Sequence, residues 1–460
     1  MDFGFAPVAR PGMTSWNMAE LKLIKTAAEE GLAEAFAGAR ATLPGAAAVK
    51  SLRDNAFRIF EIKGLPHRRI EEWKYTDLRA LMRDAKPLAA PPDAAAKVKA
   101  KAAGALLSAV GARRVVIVDG AFVPELSDLA ALEKGLTIVS LAEALVIADK
   151  ALIDRLSRKA LFSDDPAFAL NTAMMSDGVV IRVAEGAQIA RPIHLAFITT
   201  SVKPVSVFTR SLVTVGKGAS LSVIESHESA DGVDNQANHA IDVSVADDGR
   251  LDHVKIACEG DRALHVASLL ADIGATAHLN TFTFTSAGAV TRNQIAMRLE
   301  GAQTHVGIRG ATLLKGRQHA DNTLVVDHAV GHCESRELFK SVLDGESRSV
   351  FQGKIIVEPH AQKTDAKMAT HALLLSEDAE ADAKPELEIF ADDVVCGHGA
   401  TAGALDDDLL FYLRARGIPL KEAEALMVEA FVGEAVEAVE NESVREALME
   451  LARRWLKARA

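Results

Sequence analysis

Cysteine is scarce in this chain. Among 460 residues only Cys258, Cys333 and Cys396 carry thiols, an odd number, widely scattered and with no C-x-x-C pair. That excludes a disulfide framework and a self-contained four-cysteine zinc or iron–sulfur centre. Any cluster held through this chain needs ligands from elsewhere. Basic charge is also short: 52 Lys and Arg stand against 63 Asp and Glu, a net charge of −11. No nucleic-acid footprint is expected from that balance. No run of about 18 apolar residues occurs, so no membrane span is expected. The opening MDFGFAPVARPGMTSWNMAE lacks the basic and apolar regions of a secretory signal, and the cytoplasm is the expected compartment. The P-loop pattern is missing as well, since Gly353 and Lys354 are followed by Ile355 without the required earlier glycine. The chain is therefore not expected to bind or hydrolyse ATP itself.

With 49% apolar and 25% charged residues the chain reads as globular, and its length calls for two or three domains. Residues 1–163 read as a mainly helical region. Leu21, Ile24, Ala28 and Leu32 mark one helix face, and Leu52, Phe57 and Phe60 another. Within GLPHRRIEEWKYTDL, Trp73 and Tyr75 read as packing anchors for these helices. Residues 85–104, rich in Pro, Ala and Lys, read as a surface linker turning into a weak helix. RRVVIVDGAFVPEL predicts a strand, an Asp119-Gly120 turn and a second short strand.

Residues 164–403 are strand after strand, among them RSLVTVG, ASLSVIESHE, RLDHVKIACEG, VTRNQIAMRLEG and VFQGKIIV. Glycines punctuate them at 186, 218, 249, 274, 288, 301 and 310. No helical pattern interrupts the run, which disfavours a doubly wound sheet. Periodicity leaves a sandwich open, whereas a β-rich run of this length favours a solenoid. The glycine steps are too irregular for a fixed repeat. Residues 404–460 are helical: Asp406 is a good N-cap, Gly417 a stop, and Leu420, Ala423, Met427 and Phe431 form an apolar stripe on the following helix. These helices either cap the end of the solenoid or face a partner.

Twelve of the 14 histidines fall between His227 and His398, and outward-facing solenoid positions that tolerate histidine account for most of them. His328, His332 and Cys333 form a tighter group, read as a side-chain-held turn or a chelate. GHGATAG, residues 397–403, reads as a turn from a strand ending at Cys396 into a helix, where backbone N–H groups could hold an anion. Asp392, Val394, Cys396 and His398 share one face if the strand runs on. A thiol beside an imidazole suits soft or borderline metals such as iron, and a buried Cys with a turn-capping His is the structural alternative.

Several blocks in order, FQGKIIV, AQKTDAK, KPELEIFADDV, CGHGAT and LFYLRARGI, with GLPHRRIEEWKYTDL upstream, resemble the SufB/SufD family of SUF iron–sulfur cluster assembly scaffolds. The few cysteines and the AQKTDAK core are similar to its SufD-type branch. The resemblance covers residues 160 to 435 well and the first 60 residues loosely. It implies a right-handed parallel β-helix between helical flanks and a non-enzymatic scaffold role. It also implies pairing with a SufB-type subunit through the last strands and docking of a SufC-type ABC ATPase on the C-terminal helices. His398, with Cys396 close by, would then build a nascent Fe–S cluster with a cysteine of the partner. A reduced flavin at the level of the complex and a homodimer of the isolated chain are left open. The rival readings are a β-helical carbohydrate-active enzyme and a stand-alone metal or nucleotide binder using GHGATAG.

Overall fold

The computed structural model describes residues 25–158 and 161–459. Leu21 and Ile24 lie outside the described residues. The chain opens with α1 (Ala27–Ala39), α2 (Ala47–Lys63), α3 (Leu78–Leu81) and α4 (Ala94–Lys101). The Thr26–Glu29 capping box starts α1, where Ala28 and Leu32 are buried. Next come β1 (Arg113–Val118), β2 (Ala121–Phe122) and β3 (Leu136–Ser140), with β1 and β2 joined through Asp119-Gly120 as an antiparallel pair. Then follow α5 (Leu141–Ile147), α6 (Lys150–Ser157) and α7 (Pro166–Met174).

From there strands alternate between two sheets. In chain order they are β4 (Val179–Val183), β5 (Ile193–Thr199), β6 (Ser206–Val215), β7 (Ser220–Ser229), β8 (Gln236–Val245), β9 (Arg250–Cys258) and β10 (Leu264–Ile273). After them come β11 (His278–Thr285), β12 (Val290–Leu299), β13 (His305–Leu314), β14 (His319–His328), β15 (Glu334–Leu343) and β16 (Arg348–Val357). The last three are β17 (Asp365–Leu374), β18 (Glu380–Ile389) and β19 (Val395–Gly403). Three helices close the chain: α8 (Asp407–Arg414), α9 (Leu420–Val436) and α10 (Glu442–Arg459).

Apart from β2 and β3, odd strands build a sheet of order β19-β17-β15-β13-β11-β9-β7-β5-β1-β2, and even strands one of order β18-β16-β14-β12-β10-β8-β6-β4-β3. From β4 onward every pair of neighbours within a sheet is parallel. One even and one odd strand make a coil, and the coils stack as a parallel β-solenoid, which removes the sandwich alternative. The step between equivalent residues varies from 26 (Leu264 to Val290) to 32 (Arg348 to Glu380), so no fixed period marks the repeat. Turns stack tightly: a Cβ on Gly301 would lie 1.9 Å from the Ala275 nitrogen of the coil before.

The core between the sheets has two halves. Val213, Val215, Ile241, Val243, Leu269, Met297, Leu324, Val326 and Ile355 pack against Leu221, Val223, Leu251, Leu279 and Ile308 in an apolar half. Strand alternation turns Glu225, His227, His253 and Lys255 inward as well, opposite His239, His265 and Asn293, in a polar half. Hydrogen bonds hold that half together, as from Lys255 Nζ to Asn293 (2.7 Å) and from Asn293 to Asn322 (3.0 Å). The expectation of outward-facing histidines is thus overturned for His227, His239, His253, His265 and His328. All five point inward and are buried.

Both outer faces are covered, as parallel sheets require. Leu32, Phe36, Phe57, Phe60, Trp73, Leu170 and Met174 cover Phe208, Leu264 and Val266 of the even sheet. Trp73 is the anchor: its indole N–H donates to Asp165 (2.6 Å) and the Arg292 guanidinium stacks 3.8 Å from its ring. On the odd sheet, Val428, Val432, Val436, Val444, Leu448 and Trp455 cover Val254, Ile256, Phe282, Phe284, Leu313 and Val342. The C-terminal helices therefore lie along the flank of the solenoid and do not cap its end. Ala423 is buried, and Phe431 packs against that core under Lys340, whereas Leu420 faces out. The outward apolar residues are Leu409, Phe411 and Tyr412 of α8 with Leu420 and Leu426 of α9.

Candidate functional site

The strands of the last coil sit where the solenoid stops. Among the described residues β18 pairs only with β16 and β19 only with β17, so each presents a free edge. The Val395 N–H donates to Thr364 (2.8 Å), which in a parallel ladder aims the N–H groups of Cys396, His398, Ala400 and Ala402 at that edge. In β18 the Glu380 N–H faces β16, so Pro385 has its missing N–H on the free side, where an edge strand tolerates it.

This geometry corrects the reading of GHGATAG. Residues 397–403 are not a turn into a helix; they are most of β19, paired in register with β17, and α8 begins only at Asp407. The anion nest that such a turn could have offered does not form. Asp392 and Val394 precede the strand, so only Cys396 and His398 of that set share a strand face. AQKTDAK runs from a turn into β17.

Cys396 lies beside Ala366, and His398 beside Met368. Ala366 and Met368 belong to the core between the sheets, so Cys396 and His398 turn inward at the mouth of its apolar half. Cys396 is half-buried and His398 exposed. A Cβ at Gly397 or Gly399 would meet nothing within 4 Å, leaving the opposite face of the strand bare. Burial, reinforced by the charges of Asp365 and Glu337, pushes the Cys396 thiol pKa up. The thiolate then needs a metal or a new positive neighbour.

Behind this pair stands a residue that strand patterning did not single out. Glu337 occupies the inward column that continues through Met368 to His398. It is buried, neither carboxylate oxygen has a well-formed hydrogen bond, and burial pushes its pKa up to about 8. Its neighbour Ser335 meets His328 Nε2 (3.1 Å), whose Nδ1 is unpartnered and whose pKa burial lowers to about 4. ESRELFK alternates like any half-buried strand, and only the register shows that Glu337 faces in.

The His328, His332 and Cys333 group does not converge. His328 points into the core, and His332 is exposed on the turn with φ 62°. The Cys333 thiol donates to the Gly301 carbonyl (3.3 Å), so a thiol and backbone hold that turn. At the mouth, Cys396 and His398 offer two donors to a metal. Among the described residues, donor side chains converge in a group of three or more only deeper in the solenoid. A cluster at the mouth is completed from outside the chain or not at all.

Two family profiles cover nearly all of these elements. The SufBD protein N-terminal region matches residues 27–195, and the SufBD core domain of SUF system FeS cluster assembly matches residues 197–431. The iron–sulfur cluster assembly protein SufD of Escherichia coli is 32% identical over 84% of this chain and 88% of its own length. A SufBD family protein of Synechocystis is 30% identical over 82% and 84%. The SufD protein of Bacillus subtilis is 25% identical over 63% and 66%.

Proposed function

The chain belongs to the SufBD family of the SUF iron–sulfur cluster assembly system, and from that premise we propose that it is the scaffold half of a two-subunit cluster site. One observation carries this reading: the solenoid ends in an unpaired parallel edge with an incomplete donor set at its rim. A SufB-type subunit adds its own strand to β19 and brings the cysteine that Cys396 and His398 lack. The nascent cluster is cargo shared across that junction. Exposed Ile389, Phe390 and Val395 give the junction apolar area beyond its hydrogen bonds. Pro385 blunts the β18 edge, so the β19 edge takes the partner.

The energy source lies in another subunit. A SufC-type ATPase docks on the outward side of the C-terminal helices, where Phe411 is 74% exposed beside Leu409 and Tyr412. This chain supplies no catalysis of its own and works in the cytoplasm; among the described residues no helix is long and apolar enough to cross a membrane.

The test copies onto β19 the device that β18 already carries. Ala400→Pro removes an N–H aimed at the free edge and leaves the ladder to β17 intact. Unfolding of the isolated variant is expected to change by less than about 1 kcal/mol. Co-expressed with SufB-type and SufC-type subunits, it is expected to lose the SufB-type subunit, and the cluster absorbance after iron and sulfide reconstitution with it. Undiminished pairing would remove the edge from the interface.

A further inference from the structure

The polar half of the solenoid holds a second group of metal-type donors, well away from Cys396 and His398. His227 of β7, His239 of β8, Glu259 after β9 and His265 of β10 bring one donor atom each to within 4.8 Å of one another. All four are buried, His265 completely. The three imidazole centroids are 4.6, 4.9 and 5.3 Å apart. Around one tetrahedral ion with bonds of about 2.0–2.2 Å, donor atoms stand roughly 3.4 Å apart. Modest ring rotations close the group to that size.

The hydrogen bonds around the group leave His227, His239 and Glu259 an atom for a cation, whereas His265 has both ring nitrogens engaged, Nδ1 with Glu259 and Nε2 with Lys255 (2.8 Å). His227 gives Nε2 to Glu225 (3.2 Å), and its Nδ1 has no partner. His239 gives Nδ1 to Thr209 (2.6 Å). Glu259 binds His265 Nδ1 through one oxygen, and its other oxygen is unpartnered. Glu225 and Thr209 thus stand where outer partners orient ligating imidazoles. Buried polar atoms without partners are rare and point to a missing water or ion.

Charge agrees with this geometry. Burial favours the neutral form of His239 and His265, and the buried Glu259 carboxyl, hydrogen-bonded by the His265 ring, is held low, at about 2. Glu225, also held low by His227 and His253, adds a second negative charge. Lys255 stands against a cation, with Nζ 2.8 Å from His265 Nε2, so a bound ion has to displace that contact. Nitrogen donors in this number select borderline transition ions over Mg²⁺ or Ca²⁺.

We propose that His227, His239, Glu259 and His265 bind one divalent first-row transition ion inside the solenoid, separate from the cluster position at its mouth. The site follows from the donors alone and does not depend on the assembly role.

Co²⁺ titrated into the full, tag-free, metal-stripped chain is the probe. One equivalent is expected to bind with the visible bands of four-coordinate Co²⁺, to resist excess Mg²⁺ and to be displaced by Zn²⁺. Glu259→Gln, which keeps shape, and His239→Asn are each expected to weaken binding at least tenfold while circular dichroism stays unchanged. The double variant Cys396→Ser, His398→Ala is expected to bind as the unmodified chain does. The site is overturned if no Co²⁺ is retained, if folded Glu259→Gln binds undiminished, or if only the double variant loses the ion.

Discussion

The two ends of the solenoid are built differently. At the N-terminal end the odd sheet stops in β2, two residues long, and the even sheet in β3, five residues long, and both run antiparallel to their neighbours. There α2, α5 and α6 pack Val49, Leu141, Leu145, Leu152 and Leu156 onto Val180 and Leu212. At the C-terminal end the sheets stop in strands of ten and nine residues, still parallel to the coil before and, among the described residues, with no helix over the mouth. A parallel edge is a template for another strand, and proteins that do not want one shorten, cover or blunt it. This chain does so thoroughly at one end and only at Pro385 at the other. That asymmetry is what supports the proposed partner at the open end.

The contrast breaks first on stability. Ile181, fully buried in β4 near the closed end, packs in the core between the sheets. Ile181→Ala is expected to cost about 2–5 kcal/mol in chemical denaturation. Val395→Ala at the mouth, where the side chain is 61% exposed, is expected to stay within about 0.5 kcal/mol. Equal losses would mean that the isolated chain already covers its open end, as a homodimer does.

Glu337 sharpens the comparison through pH. Its folded pKa, about 8, stands above the ordinary 4.5, so the folded state holds a proton that the unfolded state has released between those values. Stability contributed by this group is full below about pH 4.5, falls as pH rises, and levels off above about 8. Each pH unit in that window costs on the order of 1.4 kcal/mol. Glu337→Gln carries no such proton. The melting temperature of the variant is expected to pull ahead of the unmodified chain steadily from pH 5 to pH 8. A gap that stays constant with pH would show that the carboxylate has found water or a counter-charge at the mouth.

Much of this architecture was legible in the sequence, and the exceptions share a cause. Alternation gave away the strands, and Asp119-Gly120 the one hairpin turn. The register did not show, because the step between coils drifts from 26 to 32 residues. Without register, inward and outward positions look alike. That hid Glu337 and made His227, His239 and His265 look like surface residues. GHGATAG was misread for a different reason. Glycine and alanine are poor strand formers, and their strand state comes from pairing with β17, a contact remote in sequence. Cys396 and His398 were singled out because a thiol and an imidazole two apart stand out at any register, and their role is a proposal that the His398 variant tests.

The smallest expected effect on stability falls on the residue that separates the two ends most clearly in function. His398 sits exposed on the last strand, with bare glycines on either side. A histidine holding structure makes hydrogen bonds whose loss costs roughly 1–3 kcal/mol when it is buried. His398 has no buried side-chain partner to lose. His398→Ala is therefore expected to melt within the error of the unmodified chain and to pair normally with a SufB-type subunit, since the β19 backbone is unchanged. An imidazole that ligates or shuttles protons at neutral pH has no substitute in alanine. Maturation of Fe–S enzymes in cells relying on this chain should accordingly fail. Cys396→Ser is expected to do less harm, since under the proposed function a cysteine of the SufB-type subunit supplies the main thiolate. If His398→Ala cells mature their Fe–S enzymes at the normal rate, the mouth is only a docking edge and the chemistry belongs wholly to the partner.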